Sequence, residues 1–160
     1  MIKLGSNVTD TATGIEGMAT HLQIEMNMAE YYQFQPRGLN PKSGQPVDRM
    51  WLVEERLEGG TIVDDMNLPT HVLGTIVEDE ASGFTGMAVS LVLHINGCVH
   101  FNVQAKGLQD TGAPIETCNF DIRRLKGEMI NPMTPEEQKQ DEVERPSPSG
   151  DTCYRPKHAD

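Results

Sequence analysis

The feature that most constrains the fold is a phrase written twice. ATGIEGMA runs from Ala12 to Ala19, and ASGFTGMA runs from Ala81 to Ala88. When Leu4-Gly5 is set on Leu73-Gly74, an offset of 69, the matches continue on both sides of the phrase. Val8 meets Val77, Asp10 meets Asp79, Gly14 meets Gly83, Leu22 meets Leu91, Asn27 meets Asn96, Gln35 meets Gln104, and Gly38-Leu39 meets Gly107-Leu108. One residue then drops out of a loop, after which Gly44 matches Gly112, Pro46 matches Pro114 and Arg56-Leu57 matches Arg124-Leu125. Identities kept in step over so long a span are the mark of a repeated structural unit. The chain therefore divides into a first repeat, 1–59, a linker, 60–70, a second repeat, 71–130, and a C-terminal segment of different character, 131–160.

Inside each repeat the apolar residues recur with a period of two, which predicts strands. Met18, Thr20, Leu22, Ile24 and Met26 alternate with Ala19, His21, Gln23 and Glu25, and Met87, Val89, Leu91, Leu93 and Ile95 keep that phase in the second repeat. The first set is expected to face the core. Tyr32 and Phe34 answer to Val99, Phe101 and Val103, and Met50 and Leu52 to Cys118 and Phe120. Turns fall at Thr13-Gly14, at Asn27-Met28 against Asn96-Gly97, and in the loops 40–46 and 109–114. Four or five short antiparallel strands with one apolar face must curl to bury it. The expectation is an all-β chain of two tandem small SH3-like antiparallel barrels, with the EERL and RRLK segments as a final turn and closing strand.

The linker GGTIVDDMNLPT has ordinary loop composition and is expected to add at most a strand edge. In the last segment, Thr134-Pro135-Glu136-Glu137 has an N-cap threonine, proline at the first helical position and glutamate at the third, which predicts a short helix to about Val143. Beyond it RPSPSGDTCYRPKHAD is rich in Pro, Ser and charge and reads as an extended polar tail.

Net charge is -11, from 24 acids against 13 bases, so the long-range field opposes phosphate backbones and anionic membranes. The nearest basic group is Arg123, Arg124 and Lys126, between Asp121 and Glu128. No apolar run reaches the roughly 18 residues that cross a bilayer, and MIKLGSNVTD lacks the apolar core of a signal peptide. Cys98, Cys118 and Cys153 are odd in number with no close pair, which suits a reducing compartment. Synthesis in a cytoplasm is the expectation.

Candidate chemistry is sparse. His94, Cys98 and His100 share one predicted hairpin, but no fourth ligand accompanies them, and Glu25, Ala29 and Tyr31 occupy the matching positions of the first repeat. A solvated sheet face, with no metal and no cofactor, accounts for them. Cys98 beside a histidine lacks the orienting acid and oxyanion loop of a nucleophile. The acidic pairs Glu54-Glu55, Asp64-Asp65 and Glu136-Glu137 read as solvation and capping. The Gly14-x-x-Gly17 and Gly83-x-x-Gly86 spacings lack the helix and lysine of a phosphate loop, so turn geometry accounts for them. No catalytic set emerges, and the chain reads as non-enzymatic. Trp51 stands out: by the alternation it faces outward, beside Tyr31, where an exposed tryptophan suits a protein interface or a stacking platform. The second repeat has Asn119 there. With Tyr154 and Arg155 of the tail, Trp51 and Tyr31 are the interface candidates.

The pattern LG..V.D..TG..G, Asn-Gly-Cys, Q..GL, G.P.E and a closing RL resembles a family of small single-module proteins encoded by tailed bacteriophages and prophages, which tend to read LGDKVxDxVTGFxG, GC, QPxGL and WFDExRLE. The first repeat supplies Leu4-Gly5, Thr13-Gly14, Gln35-Pro36-Arg37-Gly38-Leu39 and the run Trp51 to Glu58, and the second supplies Ser82-Gly83-Phe84-Thr85-Gly86, Asn96-Gly97-Cys98, Gln104, Gly107-Leu108 and Asn119-Phe120-Asp121. Met28-Ala29 replaces the Gly-Cys pair in the first repeat, and Asn119 replaces the tryptophan in the second. The resemblance covers nearly the whole chain except linker and tail, and implies phage origin and a shared fold. The function expected is that of a structural or accessory phage protein, a capsid decoration or virion-associated subunit that binds other virion subunits or itself. The alternative is an intracellular phage protein that binds a host protein or sequesters a defence signalling nucleotide on an aromatic platform.

Overall fold

A computed structural model describes residues 1–64 and 66–130. The first half holds β1 (Asn7–Asp10), β2 (Glu16–Glu25), β3 (Glu30–Pro36), β4 (Met50–Val53), a single 3-10 turn (Glu54–Arg56) and β5 (Leu57–Glu58). The second half repeats this order as β6 (Ile76–Asp79), β7 (Thr85–His94), β8 (Val99–Gln104), β9 (Cys118–Asp121), a 3-10 turn (Ile122–Arg124) and β10 (Leu125–Lys126). EERL and RRLK form the closing turn and short strand in each half, as expected. The helix foreseen from Thr134 and the tail, with Tyr154 and Arg155, lie outside the described residues.

The strands do not make two closed barrels. All ten belong to one antiparallel sheet that is not closed, because β2 of the first half pairs with β7 of the second. The register is His21 with His94, Leu22 with Leu93, Gln23 with Val92, Ile24 with Leu91 and Glu25 with Ser90. Gln23 and Val92 are matching positions at the offset of 69, so the pairing sets equivalent positions of the two halves against each other about this pair. Residues of both halves, including Leu22, Ile24, Tyr32 and Phe34 and their counterparts Leu91, Leu93, Phe101 and Val103, then fill one apolar core.

The alternation read from the sequence holds at Leu22, Ile24, Leu91 and Leu93 but fails before them. Each long strand carries a β-bulge, between Ala19 and His21 in β2 and between Ala88 and Ser90 in β7. An extra residue in one strand reverses which side chains point inward on its far side. Ala19 and Ala88 are therefore fully buried, while Met18 and Met87, expected inside, are each 36% exposed, and Met26 and Ile95 are exposed as well. Met26 and Ile95 instead point toward Gly74 and Gly5 of the opposite half, where an added Cβ would lie 3.9 and 3.5 Å from their side chains. Met50, also expected inside, is exposed, whereas Leu52 and Phe120 are buried.

The doubled phrase is a turn held by an ion pair. In the first half Asp10 takes the Nε and Nη2 of Arg56 at 3.0 and 2.7 Å, and also accepts from Thr13 Oγ1 at 2.6 Å and Ala12 N at 3.2 Å. Asp79 does the same with Arg124, at 2.9 and 2.8 Å, and with the backbone and hydroxyl of Ser82. Both carboxylates are buried, and each has its lone pairs filled by forked guanidinium and turn donors, the arrangement a buried charge requires. The hydrogen bond from Arg56, then that from Thr13, holds Asp10 down at a pKa of about 2. Burial pushes Asp79 up, but hydrogen bonds from Arg124 and Ser82 outweigh it and the net direction is down. The two glycines of the phrase have separate tasks. Gly14 and Gly83 adopt φ of +72° and +74° over open space, whereas Gly17 and Gly86 lie flat against the neighbouring strand, where a Cβ would strike Phe34 and Gln104.

The linker enters the structure as an edge. Ile62 bridges Ile2, Lys3 N donates to Thr61 O at 2.7 Å, and Val63 N donates to Met1 O at 3.0 Å.

Candidate functional site: the outer face of the β2–β7 seam

Six strands, β4-β3-β2-β7-β8-β9, run side by side across the seam. Their cross-strand pairs set the outward side chains in three rows. One row is Trp51, Gln33, His21 and His94; the central one is Val53, Tyr31, Gln23, Val92, His100 and Asp121; the third is Glu25, Ser90, Asn102 and Asn119. The sequence match between the halves exchanges the first row with the third. On the inner side the exchange puts leucine on leucine at 22 and 91, but on the outer side it puts Trp51 on Asn119, Gln33 on Asn102, His21 on Ser90 and His94 on Glu25. The two halves match in apolar character inside and differ on this face.

The third row is closed on itself. Asn102 Nδ2 donates to Ser90 Oγ at 2.7 Å, Asn119 Nδ2 donates to Asn102 Oδ1 at 2.8 Å, and His100 Nδ1 lies 2.6 Å from Asn119 Oδ1. Since the Asn119 amide is spent on Asn102, its Oδ1 accepts, and the proton of His100 sits on Nδ1. Nε2 of His100 then carries a lone pair in the neutral ring. It is 3.8 Å from Asp121 Oδ2, in a residue 5% exposed.

The first row is aromatic and open. Trp51 is 42% exposed, and its ring stands edge-on to His21 at 6.4 Å between centroids. His21 meets His94 at 4.5 Å, and His94 meets His100 at 4.6 Å. Thr20 Oγ1 donates to Gln33 O, so it accepts from Nδ1 of His21 at 3.0 Å. Arg49 reaches Gln33 Oε1 at 3.1 Å beside this row. Nε2 of His94 and of His100 are buried without hydrogen-bond partners among the described residues. Burial, then the neighbouring His21 and His100, push His94 down to about 4, and burial followed by Arg49 pushes His21 down. Burial raises Asp121, but Arg123 outweighs it and the net direction is down.

Trp51 therefore faces outward as the alternation predicts, but its ring neighbour is His21, while Tyr31 lies in the central row opposite Gln23 and Val53. His94, Cys98 and His100 do not lie on a solvated face: Cys98 and His100 are buried and His94 is half-buried, and the rings of His21, His94 and His100 meet at steep angles across the seam. Among the described residues no three His, Cys, Asp or Glu side chains are gathered as ligands for a metal ion. His21, Asn119 and Asp121 join the site only through the β2–β7 pairing and the order of β8 and β9, which no pattern within one repeat announces. The basic residues near the end of the second half are each matched by an acid, Arg123 by Asp121, Arg124 by Asp79 and Lys126 by Glu78. A separate hollow of about 530 Å³ is lined by Ile2, Leu57 and Ile62 with the carboxylates of Glu54, Glu55 and Glu58. Among the described residues no helix is long and apolar enough to cross a membrane.

No family model, curated protein or solved structure matches the chain.

Proposed function

We propose that this chain is a non-enzymatic accessory protein of a tailed bacteriophage, associated with the virion, that binds other structural subunits through the seam face carrying Trp51. The phage assignment rests on the resemblance of both repeats to single-module phage proteins. The binding assignment rests on one observation: matched positions of the two halves stay apolar in the core but differ in chemistry on the outer face, where an exposed tryptophan stands at the position matched in the other half by an asparagine hydrogen-bonded to its neighbour. Tryptophan is among the side chains most enriched at the anchoring positions of protein interfaces. We further read the halves as descendants of one duplicated SH3-like module, five strands and a 3-10 turn each, opened along the edge where β2 meets β7. In that reading the tandem chain is a covalent form of a two-fold dimer, and duplication freed one copy of the face to change. The test is mass spectrometry of gradient-purified particles from infected cells. The chain is expected at stoichiometric abundance, and its absence from particles while abundant in lysate overturns the reading.

Arg49 beside Trp51 and His21 favours a second reading, an intracellular protein that stacks a nucleobase on Trp51 with a cation near its phosphate. It expects a thermal shift with nucleotides, and a flat response across a nucleotide panel removes it.

A further inference from the structure

We propose that the stack of His21, His94 and His100 makes the joint between the two halves sensitive to acid, so that protonation of the stack promotes opening of the β2–β7 pairing. Three observations carry this. This edge-to-face stack spans the joint, with His21 on β2, His94 on β7 and His100 on β8, and neighbouring rings 4.5 and 4.6 Å apart and inclined at 73° and 54°. Two of its nitrogens, Nε2 of His94 and of His100, are buried and unpartnered among the described residues, so a proton arriving there sits on an atom shielded from water. And the hydrogen-bond chain from Ser90 through Asn102 and Asn119 fixes the His100 proton on Nδ1, which makes Nε2 the atom that must take the next one.

The charged groups around the stack divide unequally. Asp121, 3.8 Å from His100 Nε2, favours a charged ring, but it is already engaged by Arg123 at 2.7 Å. Arg49 stands on the His21 side and opposes charge there. Glu25, farther along β2 on the same outer face, is turned to Gln23 by a hydrogen bond. The rings themselves repel one another once more than one is protonated. Leu22, Ile24, Leu91 and Leu93 beneath the stack keep the joint closed on average, so acid raises the frequency of opening without parting the halves.

The sign follows from linkage. A ring held near 4 in the closed joint and returning to 6.5 when released binds more protons in the open state, so opening is favoured as pH falls below 6.5. At pH 5 this amounts to about a ten- to thirtyfold rise in the opening equilibrium over pH 8.

Hydrogen exchange of the intact chain, corrected for intrinsic rates, reads this directly. Amides of residues 21–25 and 90–94 are expected to lose about tenfold or more protection between pH 8 and pH 5, while those of the Asp10 and Asp79 turns lose less. His94→Gln is expected to remove most of that difference. Equal pH response at seam and turns, or an undiminished response in His94→Gln, overturns the proposal. Imidazole NMR titration of the unaltered chain needs no variant: a His94 midpoint well below 6.5 supports the proposal, and one at or above 6.5 refutes it.

Discussion

Gly83 and Gly86 stand three residues apart in the same phrase, yet one added methyl group should affect them very differently. At Gly83 an alanine Cβ meets nothing within 4 Å, so the substitution costs only the left-handed backbone at φ +74°, about 1 kcal/mol. At Gly86 the same atom collides with the Gln104 carbonyl, lying 2.7 Å from its carbon and 2.9 Å from a methyl of Val103. Backbone cannot swing aside as a side-chain tip can, so β7 and β8 must separate. Overpacking of this kind costs about 3 kcal/mol. For a chain of this size that is a fall in Tm of roughly 6–12 °C for Gly86→Ala, against about 2–4 °C for Gly83→Ala. Urea unfolding with an unchanged m value measures both. Gly14→Ala and Gly17→Ala should repeat the contrast in the first half, where a Cβ on Gly17 would lie 2.6 Å from the Phe34 ring. Equal destabilisation at Gly83 and Gly86 would falsify the account of the doubled phrase as one turn glycine followed by one contact glycine.

Three further outcomes are expected. Asp10, held at about 2 chiefly by Arg56, contributes stability that is present above 3.8 and lost as pH falls through 2; Arg56→Ala should return its carboxyl carbon titration toward 3.8 by NMR, and an unmoved midpoint contradicts the ion pair. Met28 occupies φ +65° on an exposed turn where the other half has Gly97 at +83°, so Met28→Gly should stabilise the chain by about 0.5–1 kcal/mol, and a loss of stability in urea unfolding contradicts the matching of the turns. Trp51 is the sole tryptophan, and its neighbour His21 is pushed below 6.5 by burial, so Trp51 emission should fall on acidification with a midpoint below 6.5. His21→Ser, which copies Ser90, should abolish that transition, and its survival would mean that another group is being reported.

Much of the all-β architecture was legible in the repeat itself, since Leu22 and Leu91, Asp10 and Asp79, and Arg56 and Arg124 keep matching positions for matching physical reasons. The phase of Met18 and Met87 was not legible, because a bulge adds a residue without altering composition, and a period of two carries no memory of where it was interrupted. Nor was the open sheet. Closure of each repeat and pairing between repeats satisfy the same edge hydrogen bonds, and the choice lies in the pairing of residues 21–25 with residues 90–94, which joins distant parts of the chain. Trp51 could be singled out by its contrast with Asn119, but His21 could not, since its partners His94 and Trp51 come to it from two other strands. The difference between the halves was visible; the surface that collects the differences was not.

That surface can be tested by making the first half resemble the second. Particles assembled without this chain, incubated with purified wild-type or Trp51→Asn protein and sedimented, measure whether the divergent row is the binding row. The account predicts that wild-type protein sediments with the particles and that Trp51→Asn, folded by circular dichroism and with an unchanged Tm, loses at least tenfold in affinity. Undiminished sedimentation of Trp51→Asn would contradict it.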